Sequence, residues 1–386
     1  RRAARALRGV LMEKLAGRSV ILPVIRPLGE FDEEAALFDI ESPAAFDLAP
    51  PIEALDRILL LAPLVQAWKA RLPSYVAALF EEGVVVPASA SDSIWLARDL
   101  AALMDEIETE EADWTKLSSL APDALAHWWQ VTLQFLQIVT AHWPDLLQDV
   151  DRSNPAAHRN AMLAAEAARL RARTHPGPVI AAGSTGSVPA TARLLATIAT
   201  LEMGAVVLPG LDKRLDARGW EGVGAAEEPS AYGHPQAGLK KLLAAIGIER
   251  DEVAELATPS PELAARRSLV SEALRPAETT DAWMENRPLA QDANEGGALA
   301  GLTLVETANE REEALSIAVA LRLALAEDHA TAALVTPDRG LARRVAVELR
   351  RFGIEADDSG GTPLADTPPA TLARFLLEAM FRPGEP

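Results

Sequence analysis

Apolar residues recur with two different periods along the chain, and each change of period marks a new segment. The opening residues follow the period of an α-helix. Gly17 ends that pattern, and the apolar run at residues 19–25 predicts a strand. A helix followed by a strand is typical of α/β folds. The apolar positions of the predicted opening helix are Ala3, Leu7, Val10, Leu11 and Leu15.

A long helical segment is predicted from residue 52 to residue 173. Residues 30–51, which are acidic and interrupted by prolines, connect the opening pair to it. Two amphipathic helices are predicted inside the segment, the first behind the cap candidates Ser91 and Asp92. The apolar stripe of the first helix comprises Leu96, Leu100, Leu103 and Ile107, and that of the second comprises Leu125, Trp129, Leu133, Leu136, Val139 and Trp143.

The period changes again at Pro178, where residues 178–183 predict a buried strand. Pro189 opens the next predicted helix, because a proline in the first helical turn sacrifices no hydrogen bond. Residues 205–208 predict a second strand. The order strand, helix, strand indicates a parallel βαβ unit, whose crossover is almost always right-handed.

A second α/β segment is predicted in the last part of the chain. Its runs 302–306 and 331–335 are typical of strands, and residues 309–326 between them have helical spacing. A further helix is predicted at 341–352, where Gly353 ends it. The pattern as a whole therefore predicts an α/β fold that contains a largely helical segment.

Composition excludes several classes of site. Of the 386 residues, 49% are hydrophobic and 24% charged, which is average for a globular protein. The net charge of -19 opposes wrapping of duplex DNA by charge alone, so any nucleic-acid contact must be local. The absence of cysteine excludes thiolate metal sites, iron-sulfur clusters and cysteine nucleophiles within these residues, and fits an expected cytoplasmic location. No apolar run reaches the roughly 20 residues that a membrane span needs.

The chain contains no G-x-x-x-x-G-K-[ST] phosphate loop. The nearest stretch, residues 183–187, lies between a predicted strand and a predicted helix but has no lysine. Its Ser184 and Thr185 are candidates for a phosphate or single-strand contact, and a tight turn is the plainer alternative. A motor protein needs a Mg²⁺-binding acid at the end of such a strand, where this chain has Ala182 and Gly183. We therefore expect no complete ATP site and no metal site here.

Two charged clusters each allow two interpretations. The acidic cluster is not followed by the lysine that a metal-dependent nuclease pairs with its acidic residues. A solvated face or a surface that binds a partner is therefore favoured. The basic cluster concentrates positive charge around one predicted helix, either as a phosphate-contacting surface or as a solvated face balanced by acids. The acidic cluster comprises Asp105, Glu106, Glu108, Glu110 and Glu111, and the basic cluster comprises Arg339, Arg343, Arg344, Arg350 and Arg351.

Several long stretches resemble, in order, the alphaproteobacterial type of the double-strand break repair protein AddB family. They span essentially the whole chain, so the resemblance rests on long ordered strings and not on one short motif. The stretches are residues 22–30, 127–140, 179–191, 205–212, 272–283, 332–339 and 357–364.

The resemblance implies an α/β fold of superfamily-one helicase-like parallel-sheet domains, a degenerate P-loop fold, with a mostly helical inserted domain. Residues 1–30 would belong to the first α/β domain and residues 31–173 to the inserted domain. Residues 174–300 would complete the first α/β domain with a linker, and residues 301–386 would begin the second. The opening in mid-helix suggests an upstream natural N-terminus, and the family's nuclease domain is expected to follow these residues.

The function implied is that of a helicase-like scaffold and DNA-scanning subunit of the AddAB helicase-nuclease, which resects double-strand breaks for recombinational repair. The implied partners are the AddA helicase-nuclease subunit and single-stranded and broken double-stranded DNA, with no membrane. By the resemblance, Arg339 falls where helicases place an arginine near the nucleotide, here as a vestige. The candidate DNA contacts are Arg26, Ser184, Thr185, Arg343 and Arg344.

No cofactor is expected in these residues. In the family, ATP and Mg²⁺ belong to the partner motor, and the iron-sulfur cluster belongs to the nuclease domain. The alternative is an ATP-dependent DNA helicase motor whose phosphate loop lies upstream. The sequence is therefore compatible with either a catalytic or a non-catalytic whole protein.

Overall fold

The computed structural model describes residues 2–15, 22–28, 49–70, 89–114, 116, 132–133, 135–172, 177–224, 232–327 and 329–381. These residues are mostly helical, with one small parallel sheet of two strands. The expected α/β character is therefore present in this coarse form. The chain divides into two compact units, Arg1–Leu299 and Ala300–Pro386.

The first unit holds the sheet and most of the helices. Its strands are β1 (Val179–Ala182) and β2 (Gly204–Val207), and a π-helical turn, Ile138–His142, precedes the fourth helix. Its helices are α1 (Arg2–Lys14), α2 (Ala54–Ala70), α3 (Ala90–Thr109), α4 (Trp143–Asp149), α5 (Pro155–Ala172), α6 (Pro189–Ala199), α7 (Ala217–Gly222), α8 (Ala237–Ile246), α9 (Pro261–Ala273) and α10 (Trp283–Glu295).

The second unit contains three described helices: α11 (Glu310–Ala324), α12 (Arg339–Arg351) and α13 (Pro368–Phe381). Helices α11 and α12 pack against each other around Ala318 and Val345. None of the described helices in either unit combines the length and apolar character that crossing a bilayer requires.

Helix α3 begins earlier than the sequence predicts. Its N-cap is Ser89, whose hydroxyl accepts a hydrogen bond from the Asp92 amide, while the Asp92 carboxylate accepts one from the Ser89 amide. This reciprocal arrangement satisfies two amide groups that the first helical turn leaves without partners. The predicted cap at Ser91 is therefore wrong, and Asp92 acts from inside the helix.

The buried face of α3 is also turned relative to the predicted stripe. Its buried apolar side chains are those of Ala97, Leu100, Ala101 and Met104, whereas Leu103 is 38% exposed. This face, with two alanines beside Leu100 and Met104, packs against α2. In the second predicted stripe, the burial of Leu136, Val139 and Trp143 is confirmed, and Leu125 and Trp129 lie outside the described residues.

The predicted βαβ unit is confirmed. Strands β1 and β2 are parallel, with Val179 opposite Gly204 and Ala182 opposite Val207. Helix α6 connects them and buries Leu195 in the core that it shares with α5 and β1. The prediction that β1 is buried is wrong, because the Ile180 side chain is 62% exposed. Only two strands pair among the described residues, so no strand of that part pairs with the other edge of β1.

Three further runs that predict strands form no strand among the described residues. Residues 22–25 lack a ladder partner, and residues 19–21 of that run lie outside the described part. Residues 302–306 and 331–335 are likewise without a ladder, and Leu304 and Val335 are 86% and 94% exposed. An apolar run supplies strand propensity, but a strand also needs a second chain segment for its hydrogen bonds.

Candidate nucleic-acid interface

The loop between β1 and α6 carries Ser184 and Thr185 at the carboxyl end of β1. Gly183 and Gly186 adopt positive φ angles of 81° and 64°, which glycine tolerates best. The Ser184 hydroxyl accepts a hydrogen bond from the Gly186 amide at 3.2 Å. A side chain at Gly186 would meet Leu242 at 3.0 Å. The loop is therefore a tight turn that holds Ser184 and Thr185 half-buried at its surface.

The chain segment after β2 is fixed by side chains as well. The Asp212 carboxylate accepts hydrogen bonds from the amides of Arg214 and Leu215 at 2.8 and 3.1 Å. Gln236 donates to the Gly210 carbonyl and accepts from the Asp212 amide. Both strands thus end in ordered loops on the same side of the sheet. In parallel α/β sheets this carboxyl side is where ligands bind.

A cavity of about 820 Å³ runs along β2, the loop that follows it and α9. Sequence reasoning missed this feature, although two basic pairs flank it at 213–214 and 266–267. The charged and polar residues on its wall are Asp212, Lys213, Arg214, His234, Gln236, Glu255, Arg266, Arg267 and Ser271. Basic residues outnumber acidic ones here, in contrast to the chain as a whole.

The basic side chains of this cavity form hydrogen bonds and ion pairs with other residues of the first unit. Arg267 forms a two-point contact with Glu255 at 3.0 and 3.1 Å, and this arginine lowers the pKa of Glu255. Arg214 donates to the Ser268 hydroxyl at 2.7 Å, and Lys213 donates to the Val253 carbonyl at 2.7 Å. A phosphate that enters the cavity would therefore have to replace the present hydrogen-bond partners of these side chains.

The ion pair of Arg26 is longer than the shortest ion pairs of Arg339, Arg343 and Arg344. Arg26 Nη2 lies 3.4 Å from Glu166 Oε1, and the Arg26 side chain is 42% exposed. Arg169 donates to both oxygens of the same carboxylate at 2.7 Å. Glu166 is thus already well paired, and Arg26 can turn toward a phosphate at small cost.

The three predicted arginines of α12 lie together on that helix. Arg339 donates to both oxygens of Asp358 at 2.9 and 2.8 Å and to the Gly361 carbonyl at 2.9 Å. Arg343 pairs with Asp366 at 2.9 Å. Arg344 lies 3.1 Å from Glu310 and 3.7 Å from the helix N-cap, Asp338.

The charge of this helix face is therefore balanced within the second unit. Three guanidinium groups meet four carboxylates, those of Glu310, Asp338, Asp358 and Asp366. Exposed ion pairs contribute only about 0–1 kcal/mol each, so a phosphate could displace them one at a time. The face does not present the net positive charge that attracts nucleic acid from a distance.

The contact between Arg339 and Asp358 should depend on pH only in strong acid. The hydrogen bonds from Arg339, followed by those from the Gly360 and Gly361 amides, lower the pKa of Asp358 from 3.8 to about 2. Because this pKa is lowered, the ion pair between Arg339 and Asp358 contributes fully above the ordinary pKa of 3.8. Its contribution is lost as the pH falls through about 2. We expect a titration of the Asp358 carboxyl carbon by NMR to show a midpoint near that value.

In Arg339→Ala the Asp358 midpoint should return toward 3.8, because the largest cause of the shift is removed. Arg343→Ala is the matched control, since it removes a neighbouring arginine that contacts Asp366 instead. An unchanged Asp358 midpoint in Arg339→Ala would contradict the arrangement described.

The acidic cluster at the end of α3 is only partly the solvated face that the sequence predicts. Asp105 lies 2.7 Å from the buried Arg57, and Glu111 forms a two-point ion pair with Arg193 of α6. Burial raises the pKa of Glu108. The cluster therefore contributes to the packing of the first unit.

No group of three or more histidine, aspartate or glutamate side chains could hold a metal ion within the described ranges. Comparison of the chain with protein-family models, with curated proteins and with solved structures finds no match.

Proposed function

We propose that this chain is the helicase-like scaffold and DNA-scanning subunit of an AddAB-type helicase-nuclease, which resects double-strand breaks for recombinational repair. The observation that carries the proposal is the unit formed by β1, α6 and β2. Its first loop has the position of a nucleotide-binding loop but lacks the lysine. The stretches that resemble the AddB family include both strands and this loop.

The order of elements supports the finer fold assignment. Helices α2 to α5 lie between residues 22–28 and the βαβ unit, as a helical insertion into a helicase-like α/β domain would. A separate compact unit begins at Ala300 and would be the start of a second helicase-like domain. On this proposal, the sheet of the first domain positions the DNA contacts.

The proposed role is binding and not ATP hydrolysis. A motor site needs a lysine on the phosphates and an acid on the metal. The loop at 183–187 supplies no lysine, and β1 ends in Ala181 and Ala182. The AddA partner would supply ATP-driven movement, while this chain would contact the single strand. Arg339 would then be a vestige of a nucleotide site, and its guanidinium now donates hydrogen bonds to Asp358.

Arg26 gives the sharpest test of the DNA contact. In a chain of net charge -19, each phosphate contact should be a distinct and local contribution. If Arg26 neutralises one phosphate, Arg26→Ala should lower the slope of log affinity against log salt by about 0.7 for single-stranded DNA. Fluorescence anisotropy with a labelled oligonucleotide, over a series of salt concentrations, measures this slope.

Arg218→Ala is the control, because Arg218 is an exposed arginine paired with Asp281. It should leave the slope unchanged. Equal slopes for all three proteins would remove Arg26 from the DNA path. ATP turnover by the chain with single-stranded DNA and Mg²⁺, abolished by a substitution within it, would overturn the scaffold proposal as a whole.

A further inference from the structure

A cavity of about 780 Å³ lies inside the helical part of the first unit, away from the sheet. The end of α3, the π-helical turn Ile138–His142 and α4 contribute to its wall. Its volume falls in the range of small-molecule sites, and π-helical turns recur at functional positions. Its apolar lining comprises Leu133, Leu136, Val139, Pro144 and Leu147.

Two indole rings and one carboxyl group distinguish this cavity from a packing defect. Trp114 and Trp143 both line it, and so does Glu108 at the end of α3. Indole faces attract cations because the ring carries negative charge on its faces. A carboxylate beside two indoles is a combination that suits a positively charged ligand.

Hydrogen bonds hold the Glu108 carboxyl group in place. The Trp143 indole N-H donates to Asn154 Oδ1 at 2.8 Å, and Asn154 Nδ2 donates to Glu108 Oε1 at 2.5 Å. The other oxygen, Oε2, is buried and accepts no hydrogen bond from a side chain that the structure describes, while the Ala157 amide acts on the carboxyl group and lowers its pKa. One acceptor position of an oriented, partly buried carboxyl group is therefore not filled by any described side chain.

No described cation forms an ion pair with this carboxyl group. The charge of the Arg57 guanidinium acts on Glu108, but this guanidinium forms its ion pair with Asp105, at 2.7 Å. A carboxylate that has lost its water is stabilised most by a cation that also donates a hydrogen bond. A bound cation would therefore offset the free-energy cost of removing the Glu108 carboxylate from water.

We propose that this cavity binds a flat organic cation, a guanidinium or amidinium group, with Glu108 accepting its N-H and the partly exposed indole of Trp114 covering one of its faces, while the buried Trp143 indole holds Asn154 in place. A guanidinium suits the site better than an ammonium, because it is planar, weakly hydrated and able to stack on aromatic rings. The group could belong to a free small molecule or to an arginine side chain. This proposal does not depend on the proposed function.

Binding of a cation should release a proton in mild acid. Burial raises the pKa of Glu108, and the charged groups that act on it are Arg57 and Asp105. A bound cation would favour the carboxylate and lower that pKa. Affinity should therefore rise with pH through the titration of Glu108 and level off above it.

The experiment is calorimetric titration of the whole chain with benzamidine and with its neutral isostere benzamide. Benzamidine should bind at least about tenfold more tightly, which is about 1.4 kcal/mol. Glu108→Gln should remove that preference while keeping the acceptor for Asn154. Glu106→Gln, on the exposed side of the same helix, should retain it.

A Gly-Arg-Gly peptide, compared with its citrulline counterpart, identifies the source of the group. Selective binding of the arginine peptide supports a side chain as the ligand, and selective binding of benzamidine alone supports a free molecule. The proposal is overturned if neither cation is preferred over its neutral analogue, or if folded Glu108→Gln keeps the preference. If that variant does not fold, proton release by the wild-type chain decides, and its absence in mild acid overturns the proposal.

Discussion

Replacing Gly204 by alanine should destabilise the first unit by about 3 kcal/mol, at the upper end of the cost of overpacking. Gly204 is the first residue of β2, and its amide donates to the Leu201 carbonyl in the turn that follows α6. An added Cβ would lie 1.8 Å from the Ile198 carbonyl oxygen and 3.0 Å from the Leu201 Cβ. Because the Ile198 contact is with backbone, the strand must move away from the helix.

Gly177→Ala is the matched control for this substitution. It precedes β1 in the same unit, and an added Cβ there meets nothing within 4 Å. Its effect should stay within about 0.5 kcal/mol. Urea denaturation of both variants measures the difference as a change in midpoint at constant slope. Equal midpoints would show that the turn before β2 relaxes freely, contrary to the packing described.

The elements that sequence reasoning predicts correctly depend on local signals. Pro189 fixes the start of α6, and Asn309 caps α11 by accepting hydrogen bonds from two amides of its first turn. Gly353, with a φ of 72°, follows the end of α12. Each of these signals acts within a few residues of its own position. A pattern along the chain is therefore sufficient to find them.

The predicted strands depend on partners that no local pattern contains. Residues 179–182 and 302–306 both predict strands from their sequence, yet only the first forms a ladder. Strand β1 has β2 beside it because α6 returns the chain. No equivalent neighbour pairs with residues 302–306 in the described part of the second unit. Propensity alone therefore cannot separate a strand from an extended segment.

For the charged residues of the candidate sites, too, the sequence pattern does not predict the tertiary partners. The sequence places Glu108 in an acidic run at a helix end, where solvation is the commonest outcome. Its burial depends on Asn154 and Trp143, which follow much later in the chain. The pairing of Arg339 with Asp358 likewise joins residues 19 positions apart. Charge patterns predict where ions cluster, but tertiary contacts decide which of them remain available to a ligand.

Arg275 should be costly to remove from the first unit, because its charged side chain is buried. Its side chain is 1% exposed and lies 2.7 Å from Glu272 and 2.8 Å from Asp216. Loss of one partner of a buried ion pair costs about 3–5 kcal/mol, because the remaining charge stays buried. Asp216 is 49% exposed and can regain water, whereas Glu272 is 17% exposed. We therefore expect Arg275→Met to cost about 3 kcal/mol, with Glu272 as the main cause.

Arg218→Met tests whether burial and not charge determines this cost. Arg218 also pairs with a carboxylate, Asp281, but the two side chains are 60% and 64% exposed, so we expect little or no loss of stability. Adding Glu272→Gln to Arg275→Met should recover part of the loss, because the uncompensated charge is then removed. Chemical denaturation of the four proteins completes the comparison. Equal losses of stability in Arg218→Met and Arg275→Met would contradict the role of burial. A further loss on adding Glu272→Gln to Arg275→Met would show that Glu272 is not the charge left without a partner.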